Sequence, residues 1–250
     1  MDNSEIELKN FQDEYMVKVK GGRYTPSFAN EEKEVFDIEV CKYPTTQKMW
    51  LEVMKNNPSE FKGENKPVET VTWWQALEYC NRLSEKYGLK PVYNLSQKEK
   101  GILRIIHLDG EIVEETKANF KNTEGFRLPT EVEWEWFSKG GQVAIEQGTF
   151  EDKYSGSNNV DEVAWSVENS DCLTHDVGLK KPNQLGLYDC SGNVWEWCYD
   201  IYDISKSQEK RILRGGSWDD MMEACVTSYR VGYDNSLRHK GCGFRIVKTI

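Results

Sequence analysis

The 250-residue chain contains no run of eighteen apolar residues, so no stretch reads as a bilayer-spanning helix. It lacks a CxxC pair, and its three histidines, His107, His175 and His239, stand far apart, so the common zinc patterns are missing. Basic residues are in deficit: 32 Lys and Arg against 42 Asp and Glu leave a net charge of −10. That charge disfavours nucleic acid and anionic membranes as partners. The opening MDNSEIELKNFQDEY has neither the basic start nor the apolar stretch of a signal peptide. No internal repeat or low-complexity linker divides the chain.

Aromatic residues are plentiful. Nine Trp, twelve Tyr and nine Phe, within 38% apolar content, exclude a disordered chain. The cysteine count of seven is odd, so at least one thiol is free. Cys80 falls on a predicted helix face and reads as a small buried hydrophobe.

The expected architecture is one mixed α+β domain over residues 15–250, preceded by a loose arm, 1–14. Tyr15 to Lys20 alternates and meets Gly21-Gly22, a strand entering a turn. Val35 to Cys41 alternates as a second strand with one wet face. Thr45 or Thr46 caps a short helix to about Lys55, with Trp50, Val53 and Met54 inward. Thr72 to Gln75 forms a capping box, and Trp73, Ala76, Leu77, Cys80, Leu83 and Tyr87 then recur at helical spacing until Gly88. Asp109-Gly110 joins a hairpin of 103–107 and 111–113. Thr130 and Glu133 make another capping box, opening a helix with Trp134, Trp136 and Phe137 as core and Gly140-Gly141 as its stop. Residues 141–185 read as long ordered loops. Arg211 to Arg214, the run Gly215-Gly216-Ser217-Trp218 and a strand from Gly243 to Lys248 close the chain.

The stretch from Gly186 to Trp197, GLYDCSGNVWEW, carries two carboxylates seven residues apart around Gly192. A bent loop there aims Asp189 and Glu196 inward with a carbonyl, an oxygen cage suited to a hard cation such as calcium. Trp195 and Trp197 share one face of an extended segment and form its apolar floor.

Three segments together, GFRLPTEVEWEWFSKGG (125–141), AWSVENSDCLTHDVGLKKPNQLGLYDCSGNVWEWCYD (164–200) and RILRGGSWDD…GFRIV (211–247), resemble the formylglycine-generating-enzyme/sulfatase-modifying-factor family. The resemblance covers roughly residues 15–248. It implies a variant C-type-lectin-like fold in which the first and last strands pair and two helices pack on a sheet. It further implies calcium held by the side chains of Asp189 and Glu196 and the carbonyls of Gly192 and Val194; the alternative is a Glu196 that caps a turn or pairs with an arginine such as Arg214.

The family's oxidase chemistry uses two thiolates five residues apart to grip one copper(I) ion, a soft metal that prefers sulfur. The matching positions here are Asp220 and Cys225. One thiolate does not make that site, so copper is not expected. Cys225 is the one weak catalytic candidate; its acidic flank raises a thiol pKa, and a buried structural cysteine is the expectation.

Between Trp218 and Gly243 the chain offers Met221, Met222, Tyr229, Tyr233 and Leu237 among Asp219, Asp220, Asp234 and His239. On exposed loops these form a binding face: Tyr gives rigid contact area and Met adapts to its partner. Some relatives lack the copper thiols and end in a similar GFR motif. They are the variable proteins of diversity-generating retroelements, and the chain resembles them. That resemblance implies a display scaffold built on Trp195, Trp197, Gly215, Gly216, Trp218 and Phe244, with a variable-type region near 211–247. The ligand is expected to be a protein, peptide or glycan, the protein a monomer, and its location exported or cell-surface. The alternatives are a copper-dependent formylglycine-generating oxidase and an inactive accessory member of that family.

Overall fold

Two threonines start the helices that carry most of the core, each by a reciprocal cap. Thr72 accepts from the Gln75 amide while Gln75 answers the Thr72 amide, opening Trp73–Lys86. Thr130 and Glu133 do the same for Glu131–Ser138. Such boxes satisfy two otherwise orphaned amides and are each worth about 1 kcal/mol. A third helix, Gln47–Met54, is capped by Thr46 and buries Trp50. The computed structural model describes residues 3–203 and 209–250.

Residues 3–15 are helical rather than a loose arm. Phe11, the one buried residue of that helix, sits among the rings of Tyr15, Tyr87 and Phe126 at 5.2–5.6 Å between centroids. The sequence offers only a short apolar stripe here, Leu8, Phe11 and Tyr15, in a segment that is otherwise mostly polar. The same helix covers the expected wet face of the next strand. Ile38–Cys41 is buried at every position, and Glu39 accepts a hydrogen bond from Gln12. The run 35–41 is also broken, into Lys33–Val35 and Ile38–Cys41.

The terminal sheet has the order Met16–Val19, Ile38–Cys41, Val247–Thr249, Phe126–Arg127. First and last strands therefore share a sheet but do not pair directly, because Ile38–Cys41 lies between them. The second four-stranded sheet runs Arg230–Asp234, Lys210–Arg214, Trp195–Asp203, Cys242–Gly243. A small antiparallel sheet of Tyr93–Asn94, Arg104–Ile106 and Ile112–Glu114 contains the hairpin expected at Asp109-Gly110. Within 141–185 there is more regular structure than its composition suggests: helices Gly141–Gln147 and Val160–Val163, then Ala164–Trp165 paired with Ser191–Gly192. Gly140, expected only as a stop, also serves as N-cap of the next helix, at φ 87°.

The tryptophans join these layers. Trp73 donates to the Cys198 carbonyl and Trp197 to that of Val71, so helix and second sheet are bonded across a dry interface. All seven cysteines are unpaired, and only Cys172 is exposed.

Candidate functional site

The second sheet sets up the site at the end of the strand Trp195–Asp203. Trp195 lies beside Cys242 in a short parallel pairing, which brings residues 237–242 against it. The strand Lys210–Arg214 runs into Gly215 and Gly216, at φ 97° and 74°. A β-carbon at Gly216 would stand 2.8 Å from the Ala224 carbonyl oxygen. Only glycine makes that turn cheaply, and the turn carries Ser217–Asp220 across the end of the strand. Trp218 fixes the crossing: its amide donates to the Asn193 carbonyl, its indole donates to the Lys240 carbonyl, and its ring meets Phe61 edge-on.

These segments enclose a cavity of about 140 Å³ lined by Trp195, Asp219, Asp220, Tyr233, Leu237, His239 and Cys242. The Trp195 indole donates to Asp220 Oδ2 at 2.7 Å. The Ser217 hydroxyl lies against Asp219 Oδ1 at 2.7 Å and against Asp220 Oδ2 as well. His239 Nε2 is 3.9 Å from Asp219 Oδ2, while its Nδ1 accepts the Gly241 amide at 3.1 Å. Burial first, then Asp219, Asp220 and Glu69, push the Cys242 thiol up, so it remains protonated.

Of the ten residues expected to bind ligand, Asp219, Asp220, Tyr233, Leu237 and His239 line this one cavity. Met221 and Tyr229 are exposed outside it, at 68% and 44%, with the Tyr229 ring 6.1 Å from that of Trp195. Met222 is half-buried. Asp234 ties its own turn, accepting from the Ser236 amide and hydroxyl. Trp218 is a correction: at 5% exposure it is a strut, not a displayed side chain. Sequence reasoning placed Trp195 in the scaffold and did not single out Cys242 or the orienting Ser217. Parallel pairing of Trp195 with Cys242 leaves no local signal.

The expected calcium cage is also corrected. Glu196 is fully buried, and its two oxygens take Arg245 at 2.8–3.2 Å and the Trp134 indole at 2.8 Å. Arg245 completes its donors on the Cys41 and Tyr188 carbonyls. Asp189 accepts from the Gly178 amide at 2.8 Å, and burial pushes its carboxyl up to about 6. The Gly192 carbonyl, a supposed ligand, accepts the Val194 amide. A guanidinium already neutralises Glu196, and a divalent ion beside it would meet like charge. Asp189, Gly192, Val194 and Glu196 do not fit calcium.

Nor do the residues fit copper(I). Asp220 is a hard ligand held by Trp195 and Ser217. Burial, with Asp220, Glu168 and Glu223, pushes the Cys225 thiol up to about 12. A thiol held protonated is a poor nucleophile. Among the described residues, His107, Asp109 and Glu111 form the one group close enough to hold a metal. His107 Nε2 accepts the Asn119 amide, so the neutral ring carries its proton on Nδ1, facing Glu111 at 3.6 Å. That tautomer has no lone pair to give a metal.

The sulfatase-modifying factor enzyme 1-like domain matches residues 3–250. Three comparisons stand out. The chain is 36% identical to the chaperone protein LppX of Paenibacillus barcinonensis, over 94% of this chain and 89% of that protein. It is 24% identical to the mouse inactive C-alpha-formylglycine-generating enzyme 2, over 98% and 89% respectively. The solved structure of Treponema denticola variable protein 1 superposes with a TM-score of 0.75 at 31% identity, covering 94% of this chain and 95% of that one. With the match running from end to end on a C-type-lectin-like α+β fold, the chain belongs to the formylglycine-generating-enzyme/sulfatase family of sulfatase-modifying factor enzyme 1-like domains.

Proposed function

We propose that this protein is a non-catalytic, ligand-binding member of its family, presenting the loops between Trp218 and Gly243 as its binding face. One observation carries the reading. Where the oxidase needs its first thiolate, Asp220 stands instead, held at a cavity mouth by Trp195. The exposed side chains beside it, Met221, Tyr229 and Tyr233, are the adaptable and rigid apolar types that make contact surfaces. Likeness to a variable protein supports a display role, with sequence variation in this region as its finer form. A relative named a chaperone supports a protein client at the same face. An exported or surface location belongs to this reading through the variable-protein resemblance. No helix among the described residues is long and apolar enough to cross a membrane.

Peptide and glycan arrays probed with the native protein and with a Met221→Ala/Tyr229→Ala/Tyr233→Ala variant test the binding face. Native binding to array members that the variant loses is expected; equal binding by both, or none by the native protein, overturns it. Copper-loaded protein offered a sulfatase-type cysteine peptide tests the non-catalytic half. The peptide is expected to keep its thiol, and conversion to the aldehyde would restore the oxidase reading.

A further inference from the structure

We propose that the cavity walled by Trp195 and Tyr233 takes an organic cation: an ammonium or guanidinium group on a short apolar stem, such as a Lys or Arg side chain of the ligand. This rests on the ligand-binding reading above and assigns the charge class of what that face recognises.

The first ground is a missing proton. Ser217 is fully buried, and its single hydroxyl proton serves either Asp219 or Asp220, yet its oxygen touches both. One carboxylate contact on that oxygen is therefore lone pair against lone pair. Asp220 has the Trp195 indole in compensation. Among the described residues, Asp219 Oδ2 has only His239, at 3.9 Å, beyond hydrogen-bond reach. Two carboxylates converging on one oxygen favour a bound cation between them.

The second ground is that the protein's own cations are engaged elsewhere. Among the described residues no Lys or Arg pairs with Asp219 or Asp220. Lys240 Nζ lies over the Trp218 and Phe61 rings at 5.0 and 5.7 Å. Arg238 donates to the Thr70 carbonyl. His239 has Nδ1 engaged as an acceptor for the Gly241 amide.

The third ground is the wall. Trp195 and Tyr233 supply aromatic side chains to the lining and Leu237 an apolar one, so the cavity suits a weakly hydrated cation with carbon attached. At ~30 Å³ for each water-sized group, it holds about four to five such groups. A small metal ion is disfavoured: among the described residues, no three of the cavity's carboxylate, imidazole and thiol groups gather as the His107 group does.

The test uses Nα-acetyl-lysine methylamide, Nα-acetyl-arginine methylamide and the uncharged Nα-acetyl-norleucine methylamide. Binding is followed on the Trp195 indole N–H signal by NMR, assigned from its loss in Trp195→Phe. Both cations should shift that signal, with norleucine at least about tenfold weaker, equal to ~1.4 kcal/mol. Asp219→Asn/Asp220→Asn, which keeps side-chain shape, should weaken the cations about tenfold. Equal affinity for norleucine, or no shift from either cation at its solubility limit, overturns the inference. The native protein alone decides this, whatever the folding of the variant. Array binding without charge selectivity would remove this inference and leave the ligand-binding reading standing; empty arrays would remove that reading.

Discussion

Arg245 closes on Glu196 through two nitrogens, at 2.8–3.2 Å, inside a fully buried pocket. The guanidinium does for this carboxylate what a cation would otherwise have to do. It also ties the last strand region to the strand Trp195–Asp203 and, through the Cys41 carbonyl, to the terminal sheet.

Removing one partner of such a pair leaves an uncompensated buried charge, at a cost of about 3–5 kcal/mol. Glu196→Gln should lower the melting temperature to the same degree in calcium and in EDTA. Calorimetry should register no calcium heat at this site in native protein. A melting point that rises with calcium would reinstate the metal.

Asp189 supplies a pH signature. Its folded pKa, about 6, lies above the unfolded value of about 3.9, because burial disfavours the charged form. The folded state therefore holds this proton more tightly. That contribution is complete below about pH 4 and is lost as pH rises through 6. Relative to Asp189→Asn, native protein should lose about 2 kcal/mol between pH 4 and pH 7. Denaturant titrations at both ends of the window read it, and parallel pH profiles would refute it.

Phe11 tests the N-terminal helix. Phe11→Ala removes a ring packed on Tyr15, Tyr87 and Phe126, and should cost about 3 kcal/mol of unfolding free energy. An arm without docking would leave the denaturation midpoint unmoved.

The thiols give a direct count. Cys172 is the one exposed cysteine, while burial raises the pKa of Cys41, Cys80, Cys190, Cys198, Cys225 and Cys242. A thiol reagent should label one residue rapidly in native protein and all seven after unfolding. Cys172→Ser should abolish the fast phase. Fast labelling of Cys225 would revive it as a nucleophile.

Local chemistry was legible where a few adjacent residues decide the outcome. Both capping boxes read directly, since the bonds of Thr72 with Gln75 and of Thr130 with Glu133 that make them lie within one turn. So did the Asp109-Gly110 hairpin and the buried face of Trp73–Lys86. The family motifs fixed the fold class, because long matching segments in order constrain topology more than periodicity does. The alternation of 35–41 misled, since a helix whose Gln12 lies 27 residues before Glu39 covers the face that would otherwise be wet.

By itself the sequence determined that Asp220 stands at the position matching the family's first copper thiol, and that two tyrosines and two methionines lie within the last forty residues. Only the tertiary structure decided what the carboxylates do. Glu196 meets an arginine 49 residues away, and Asp220 meets an indole 25 residues away. The physical reason is that an acidic side chain is defined by its counter-charge. That partner is chosen by how strands are laid side by side, not by spacing along the chain.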